Sequence, residues 1–196
     1  TAGTGGMQDP ASGALNTVAE GNGQSERDGR QIIMHNIEVR GLIRRDQLGG
    51  LATLPYAGIV YVALVLDKQT NAAQTTSDLI YSNPSGSDVL AACPFRNLQY
   101  TRRFRTLAAR TIDLSDLHVN WATNNTPPTA NTYANTGADT PFQFYVDLKD
   151  LVVNFSDSAE SVASIVDNSL HVVAWCSEQT DNLERMYYHA RLRYTG

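Results

Sequence analysis

Residues 30–46, "RQIIMHNIEVRGLIRRD", alternate in polarity along most of their length and decide the fold. Successive side chains of a β-strand point to opposite faces, so this period of two is typical of a strand. One predicted face is mainly apolar and carries Ile33, His35, Ile37, Val39, Gly41 and Ile43. The other carries Met34, Asn36, Glu38, Arg40, Leu42 and Arg44. The stretch therefore predicts a long strand with one buried face.

Four other stretches predict further strands. Residues 57–74, "AGIVYVALVLDKQTNAAQ", contain a β-branched run that indicates a strand buried on both faces and stopped by the polar "DKQTN". Residues 142–155, "FQFYVDLKDLVVNF", give two runs of period two that break near Lys149 and Asp150, which indicates a hairpin or a bent strand. The stretches "SLHVVAWCSE" (169–178) and "RMYYHARLRY" (185–194) complete the set, and the second places Arg191 and Arg193 on one face.

Residues 102–110, "RRFRTLAAR", hold four arginines, and neither face of the stretch is cleanly apolar. Helix propensity allows a helix here, but the flanking "QYTRRF" and "TIDL" favour a strand. As a regular strand it places Arg103 and Arg105 on one face, with Arg102 and Arg110 on the other. Residues 70–99, before it, predict a long excursion with one helical turn.

The chain of 196 residues shows no shift in composition that would divide its apolar part into two domains. Residues 1–29 are rich in Gly, Ser, Thr and Asn, and we expect a flexible N-terminal arm there that forms no core. Residues 30–196 are then one folded domain. Seven or eight strands without a long helix predict an all-β, antiparallel sandwich or barrel, and an eight-stranded jelly roll suits strands this long and loops this uneven.

Thirteen of the fifteen basic residues are arginine, although the formal net charge is −5. Arginine suits forked contacts with phosphate or carboxylate, so these side chains either face nucleic acid, pair across a subunit contact, or pair within one subunit. The residues predicted to face nucleic acid or a subunit interface are Arg27, Arg30, Arg40, Arg44, Arg45, Arg102, Arg103, Arg105, Arg110, Arg191 and Arg193.

Sites for catalysis are not evident in the sequence. The four histidines form no HxH pair, and no nucleophile-elbow, phosphate-loop or dinucleotide motif occurs, so we predict no enzyme activity, metal or cofactor. No run of about eighteen apolar residues occurs, so membrane insertion is not predicted. Trp121 and Tyr133 lie in a polar loop (120–141), where they are candidates for contact with a receptor or a sugar, unless the loop folds onto a neighbour.

Several of these stretches, in this order, resemble capsid proteins of circovirus-like viruses, whose small circular single-stranded DNA genomes encode a replication initiator. The resemblance runs from about residue 29 to the C-terminus through "GRQIIMHNIEVRGLI" (29–43), "VYVALVLDKQTNAAQ" (60–74), "FRNLQYTRRFRTLAART" (95–111) and "YYHARLRYTG" (187–196). Its most specific pieces are "DKQTN" (67–71) and "RRFRTL" (102–107), which is similar to that family's Arg-Phe-x-x-Leu strand.

The resemblance implies a jelly-roll subunit that self-assembles into a small icosahedral shell, of T=1 type, around a circular single-stranded DNA genome. The implied partners are identical subunits, the genome and a host receptor, and the implied locations are the virion and, during assembly, the host nucleus or cytoplasm. It also implies a basic arm ahead of Thr1. The alternatives are a lectin-like jelly roll that binds sugar through Trp121 and Tyr133, the capsid of a satellite-type RNA virus, and a metal-dependent jelly-roll enzyme.

Overall fold

The protein is described from a computed structural model, which covers residues 7–8, 13–45, 59–70, 75, 77–82, 95–113, 140–176 and 184–196. Most of this part of the chain is strand. The strands are β1 (Met7–Gln8), β2 (Gln31–Arg45), β3 (Ile59–Asp67), β4 (Tyr81–Ser82), β5 (Phe95–Arg96), β6 (Phe104–Asp113), β7 (Thr140–Asn154), β8 (Ser169–Cys176) and β9 (Glu184–Thr195). One helical turn, α1 (Ser77–Ile80), and short 3-10 turns at Leu98–Tyr100 and Val162–Ser164 accompany them. None of the helices in these ranges is long and apolar enough to cross a membrane.

The strands form two antiparallel sheets that pack face to face. One sheet has the order β1-β8-β3-β6 and the other β7-β2-β9, while β4 and β5 pair as a small ribbon within the excursion after β3. The main core cluster draws buried side chains from both sheets, including Val39 of β2, Leu64 of β3, Phe144 of β7 and Val172 of β8. The all-β antiparallel prediction is therefore confirmed.

The face prediction for β2 is right in its C-terminal part and wrong in its N-terminal part. Ile37, Val39 and Ile43 are buried as expected, but Met34 is fully buried and Ile33 is 37% exposed. The cause is a bulge: the pairing of β2 with both neighbours shifts between Met34 and Asn36. A bulge inserts one residue into the alternation, so every side chain before it changes face.

The strand prediction for residues 102–110 is confirmed from Phe104 onward, but the predicted faces are not. The pairing of β6 with β3 shifts between Leu64 and Val65, which leaves Leu107 as the extra residue. Arg105 pairs with Leu66 and Arg110 with Val62, and these two β3 residues belong to the same core face. Since directly paired residues point to the same side of a sheet, Arg105 and Arg110 share one face instead of lying on opposite faces.

Residues 142–154 form a bent strand and not a hairpin, because they lie within the single strand β7, and Phe155 follows it in an isolated bridge to Ile165. Lys149 and Asp150 both adopt positive φ angles, 54° and 57°, at the predicted break. Strand β3 is buried on both faces as predicted, because α1 and Tyr81 of β4 cover its outer side in a second cluster with Ala63 and Val65. The single helical turn expected in the excursion is α1.

The expectation of an arm without core contacts is wrong for residues 13–29. Ala14 and Val18 are buried in the main core cluster. Asn16 is fully buried, accepts a 2.9 Å hydrogen bond from the backbone N–H of Leu170, and donates a 3.0 Å bond to the backbone oxygen of Asn168. A segment of small and polar residues can thus pack against the core when β8 and the residue just before it supply hydrogen-bond partners for its polar groups. Residues 1–6 and 9–12 lie outside the described part.

Candidate subunit and nucleic-acid interface

Arg27 is fully buried. Among the predicted interface residues whose side chains are described, it is the one that the fold removes completely from the surface. Its side chain is 0% exposed, its guanidinium carbon lies 4.3 Å from the centre of the Phe155 ring, and its Nε donates a 3.0 Å bond to the Val18 oxygen. It also donates to the backbone oxygens of Gly29 and Asp157. The prediction that Arg27 faces nucleic acid or another subunit is therefore wrong, because its donors are used inside the subunit.

Arg103 joins the two most specific stretches of the sequence. Its Nε and Nη2 donate to the two carboxylate oxygens of Asp67 at 2.8 and 2.7 Å, a bidentate pair in which Asp67 is fully buried. The backbone N–H of Lys68 donates a 3.0 Å bond to the Arg103 oxygen beside it. "DKQTN" and "RRFRTL" thus meet at the junction of β3 and β6, and Arg103 acts within one subunit instead of at an interface.

Arg40 occupies an intermediate position. Its side chain is 68% exposed, and it pairs with the β2 residue Glu38 at 2.5 Å. Exposed pairs of this kind contribute little stability, so Arg40 is held loosely and can still meet a partner. Arg44 and Arg45 end β2, and their side chains lie outside the described part.

The remaining predicted arginines are exposed, and none of them forms an ion pair with another described residue. They are Arg30, Arg102, Arg105, Arg110, Arg191 and Arg193. Four of the six lie in strands at the ends of the two described sheets: Arg105 and Arg110 in β6, and Arg191 and Arg193 in β9. Guanidinium groups without carboxylate partners remain available for an external anion or carboxylate.

An exposed apolar surface lies in the segment just before β6. Leu98 is 82% exposed and Phe95 is 69% exposed, and both line an open depression of about 770 Å³ together with Ser82, Arg96, Asn97 and Gln99. Large apolar side chains this exposed are typical of protein contact surfaces. Phe95 and Leu98 were not among the predicted contact residues, because isolated apolar residues in loops are common. Their position in a long polar excursion was the available signal.

A buried polar cluster lies beside the Asp67–Arg103 pair on the outer side of the β8-β3-β6 part of the sheet. Thr70 donates a 2.9 Å bond to Ser169, whose hydroxyl lies 2.8 Å from Nε2 of His171. Burial lowers the pKa of His171 from 6.5 to about 4, and the negative charge of Asp67 opposes this shift only in part. His171 is therefore neutral at neutral pH and serves as a core residue.

The subunit should lose stability as the pH falls from 6.5 toward 4, because His171 takes up a proton more readily in the unfolded chain than in the native one. The expected loss is about 2 kcal/mol by about pH 5, from the difference between the two pKa values. Urea unfolding of the protein at neutral and mildly acidic pH measures it. His171→Gln should remove most of this loss and the exposed-site control His189→Gln should keep it; equal losses in both variants would contradict the assignment.

No group of three or more His, Cys, Asp or Glu side chains that could hold a metal ion occurs among the described residues. Trp121 and Tyr133, the predicted receptor contacts, lie outside the described part, so their role stays a prediction.

The chain matches no protein-family model and no curated protein.

Proposed function

We propose that this protein is a structural capsid subunit that self-assembles into a small icosahedral shell, of T=1 type, around a single-stranded DNA genome. The observation that carries the proposal is the surface of residues 95–105. There the exposed apolar side chains of Phe95 and Leu98 lie close in sequence to Arg102 and Arg105, which have no ion-pair partner in the described part. Exposed aromatic side chains and arginine are both enriched at protein–protein interfaces.

The strand pairing supports the finer proposal of an eight-stranded jelly roll. Strand β3 pairs with β6, β2 with β7 and β1 with β8, so the pairs are nested inside one another along the chain. A long antiparallel ribbon rolled into two sheets has this nested order, which is the arrangement of a jelly roll with its two Greek keys. In that arrangement an eighth strand would pair with β9 and complete the β7-β2-β9 sheet.

The genome type is proposed from the resemblance of the sequence, since related jelly rolls also enclose RNA. In this proposal some of the exposed arginines of β6 and β9 pair with residues of neighbouring subunits, and others bind phosphates of the genome. The subunit catalyses no reaction. Nuclease digestion of the contents of purified particles, with a DNase and an RNase in parallel, distinguishes the DNA capsid from the satellite-type RNA capsid.

Electron microscopy of the purified chain with light scattering for mass tests the assembly. We expect uniform shells in the wild type and in Val166→Ser, a matched control that removes another exposed apolar side chain (51% exposed). The double variant Phe95→Ser/Leu98→Ser should give subunits that unfold with wild-type free energy but form no shells, because central apolar side chains dominate interface energies. Monomers or small oligomers of the wild type across salt and pH would overturn the proposal and favour the sugar-binding alternative.

A further inference from the structure

The outer face of the β7-β2-β9 sheet carries rows of polar side chains that lie side by side across the three strands. Glu38 of β2 pairs with Tyr145 on one side and with Arg191 on the other, which forms one row. The next rows are Asp147–Asn36–Arg193 and Gln143–Arg40–His189. Because paired residues share a face, Arg191, Arg193 and His189 follow one another along β9 on this outer surface.

The positive charge on this face is concentrated on β9. Arg191 lies directly opposite Glu38, but the Glu38 carboxylate already accepts bonds from Arg40 at 2.7 Å and from Gln143 at 2.9 Å. Asp147 lies two strands away from Arg193, and one of its oxygens accepts a 2.9 Å bond from the backbone N–H of Lys149. Both β9 arginines therefore lack a carboxylate partner among the described residues while remaining exposed.

An exposed aromatic side chain lies on the same face of the sheet as Arg191 and Arg193. Tyr145 of β7 is 65% exposed and belongs to the same row as Arg191, at a distance of about 10 Å across two strand spacings. Along β9, residues two positions apart are separated by about 7 Å. That separation is of the same order as the distance between neighbouring phosphates of an extended single strand, so a strand lying along β9 can place a phosphate at each arginine and turn a base toward Tyr145.

We infer that the outer face of the β7-β2-β9 sheet binds single-stranded nucleic acid, with Arg191 and Arg193 on the phosphates and Tyr145 stacked on a base. The inference rests on the proposed function and makes it more specific, because it assigns the β9 arginines to the genome and leaves the surface of residues 95–105 to subunit contacts. Cationic side chains that follow the backbone, combined with an aromatic platform, are the features of sites that bind single strands without reading their sequence. A membrane surface fits less well, since the two arginines of β9 are fewer than the clusters of about four to eight basic residues that bind anionic lipid.

Fluorescence anisotropy of a labelled oligothymidylate over a series of salt concentrations tests the inference. Arg191→Gln/Arg193→Gln should weaken binding and reduce the slope of log K against log salt by about 1.4, since each phosphate contact on a single strand contributes about 0.7. Lys68→Gln, which removes one exposed positive charge outside the β7-β2-β9 sheet, should leave the slope unchanged. Tyr145→Ala should weaken binding roughly tenfold without altering the slope, and Tyr145→Phe should retain it.

Wild-type affinity and slope in the double arginine variant would overturn the inference, as would equally tight binding of labelled polyglutamate by the wild type, which would indicate an acidic protein as the partner. Microscopy of the same variants separates this result from the proposed function. Shells of Arg191→Gln/Arg193→Gln that form normally but enclose less nucleic acid support both proposals. If the wild type forms no shells but still binds oligothymidylate through these residues, the capsid proposal fails and the binding surface stands.

Discussion

Arg103→Met should lower the free energy of unfolding by about 3–5 kcal/mol, because it leaves the fully buried Asp67 carboxylate without its partner. Both carboxylate oxygens accept guanidinium bonds in the native protein, at 2.8 and 2.7 Å. The hydrogen bonds that Arg103 donates to Asp67 raise the pKa of Arg103 above its usual value, so the guanidinium is charged at neutral pH. Urea denaturation at neutral pH measures the loss.

The neighbouring Arg102 provides a matched control. It is exposed and forms no ion pair with a described residue, so Arg102→Met should change the free energy of unfolding by no more than about 0.5 kcal/mol. In the double variant Asp67→Leu/Arg103→Met neither charge of this pair remains, and we expect most of the stability to return, since apolar replacements of buried pairs are often neutral. A loss below about 1 kcal/mol in Arg103→Met alone would mean that water or another cation compensates Asp67.

The strands were predictable wherever the alternation of side chains is regular. In β9, Met186, Tyr188 and Leu192 pack against the core while Arg191 and Arg193 are exposed, as the period of two requires. The two-sided burial of β3 followed from its unbroken apolar run. These strands can be predicted because the polarity of residues next to one another in the sequence indicates which side chains are buried.

The bulges in β2 and β6 were not predictable from the alternation. At His35 and at Leu107 one residue is added to a strand, and the faces before and after it are exchanged. No glycine or proline marks either position. The bulges depend on how the strand pairs with its neighbours, which are distant in the sequence, so a count of polar and apolar residues along one strand does not reveal them.

The role of each arginine was also out of reach, because it depends on partners far along the chain. Arg103 and Asp67 are 36 positions apart, and Arg27 and Asp157 are 130 apart. The residue type indicated forked contacts with phosphate or carboxylate, and Arg103 makes such a contact with Asp67, whereas Arg27 donates mainly to backbone oxygens. Which partner each fork meets is decided by the fold, and the exposed Tyr145 likewise became a candidate site only when β7 placed it on the same row as Arg191.

Replacement of the buried Arg27 should destabilise the fold as strongly as the loss of Arg103. Arg27→Met retains an apolar stem near Phe155 but leaves the backbone oxygens of Val18, Gly29 and Asp157 without the donors that now satisfy them. Buried acceptors that lose their partner cost about 1–3 kcal/mol each, and because the bonds to Gly29 and Asp157 are only partly buried, we expect a total loss toward the lower end of the sum, about 3–5 kcal/mol. Arg27→Lys should recover only part of it, because one ammonium group cannot replace the planar fork over a ring.

Hydrogen exchange measured with urea denaturation separates a local effect from a global one. Residues 13–29 contact the main core through Ala14 and Val18, so in Arg27→Met we expect faster exchange in this segment together with a lower midpoint for the whole subunit. Arg30→Met, an exposed arginine three positions later, should change neither quantity. A variant that exchanges faster only within residues 13–29, at an unchanged midpoint, would mean that the segment opens independently and that Arg27 attaches it to the sandwich without stabilising the sandwich itself.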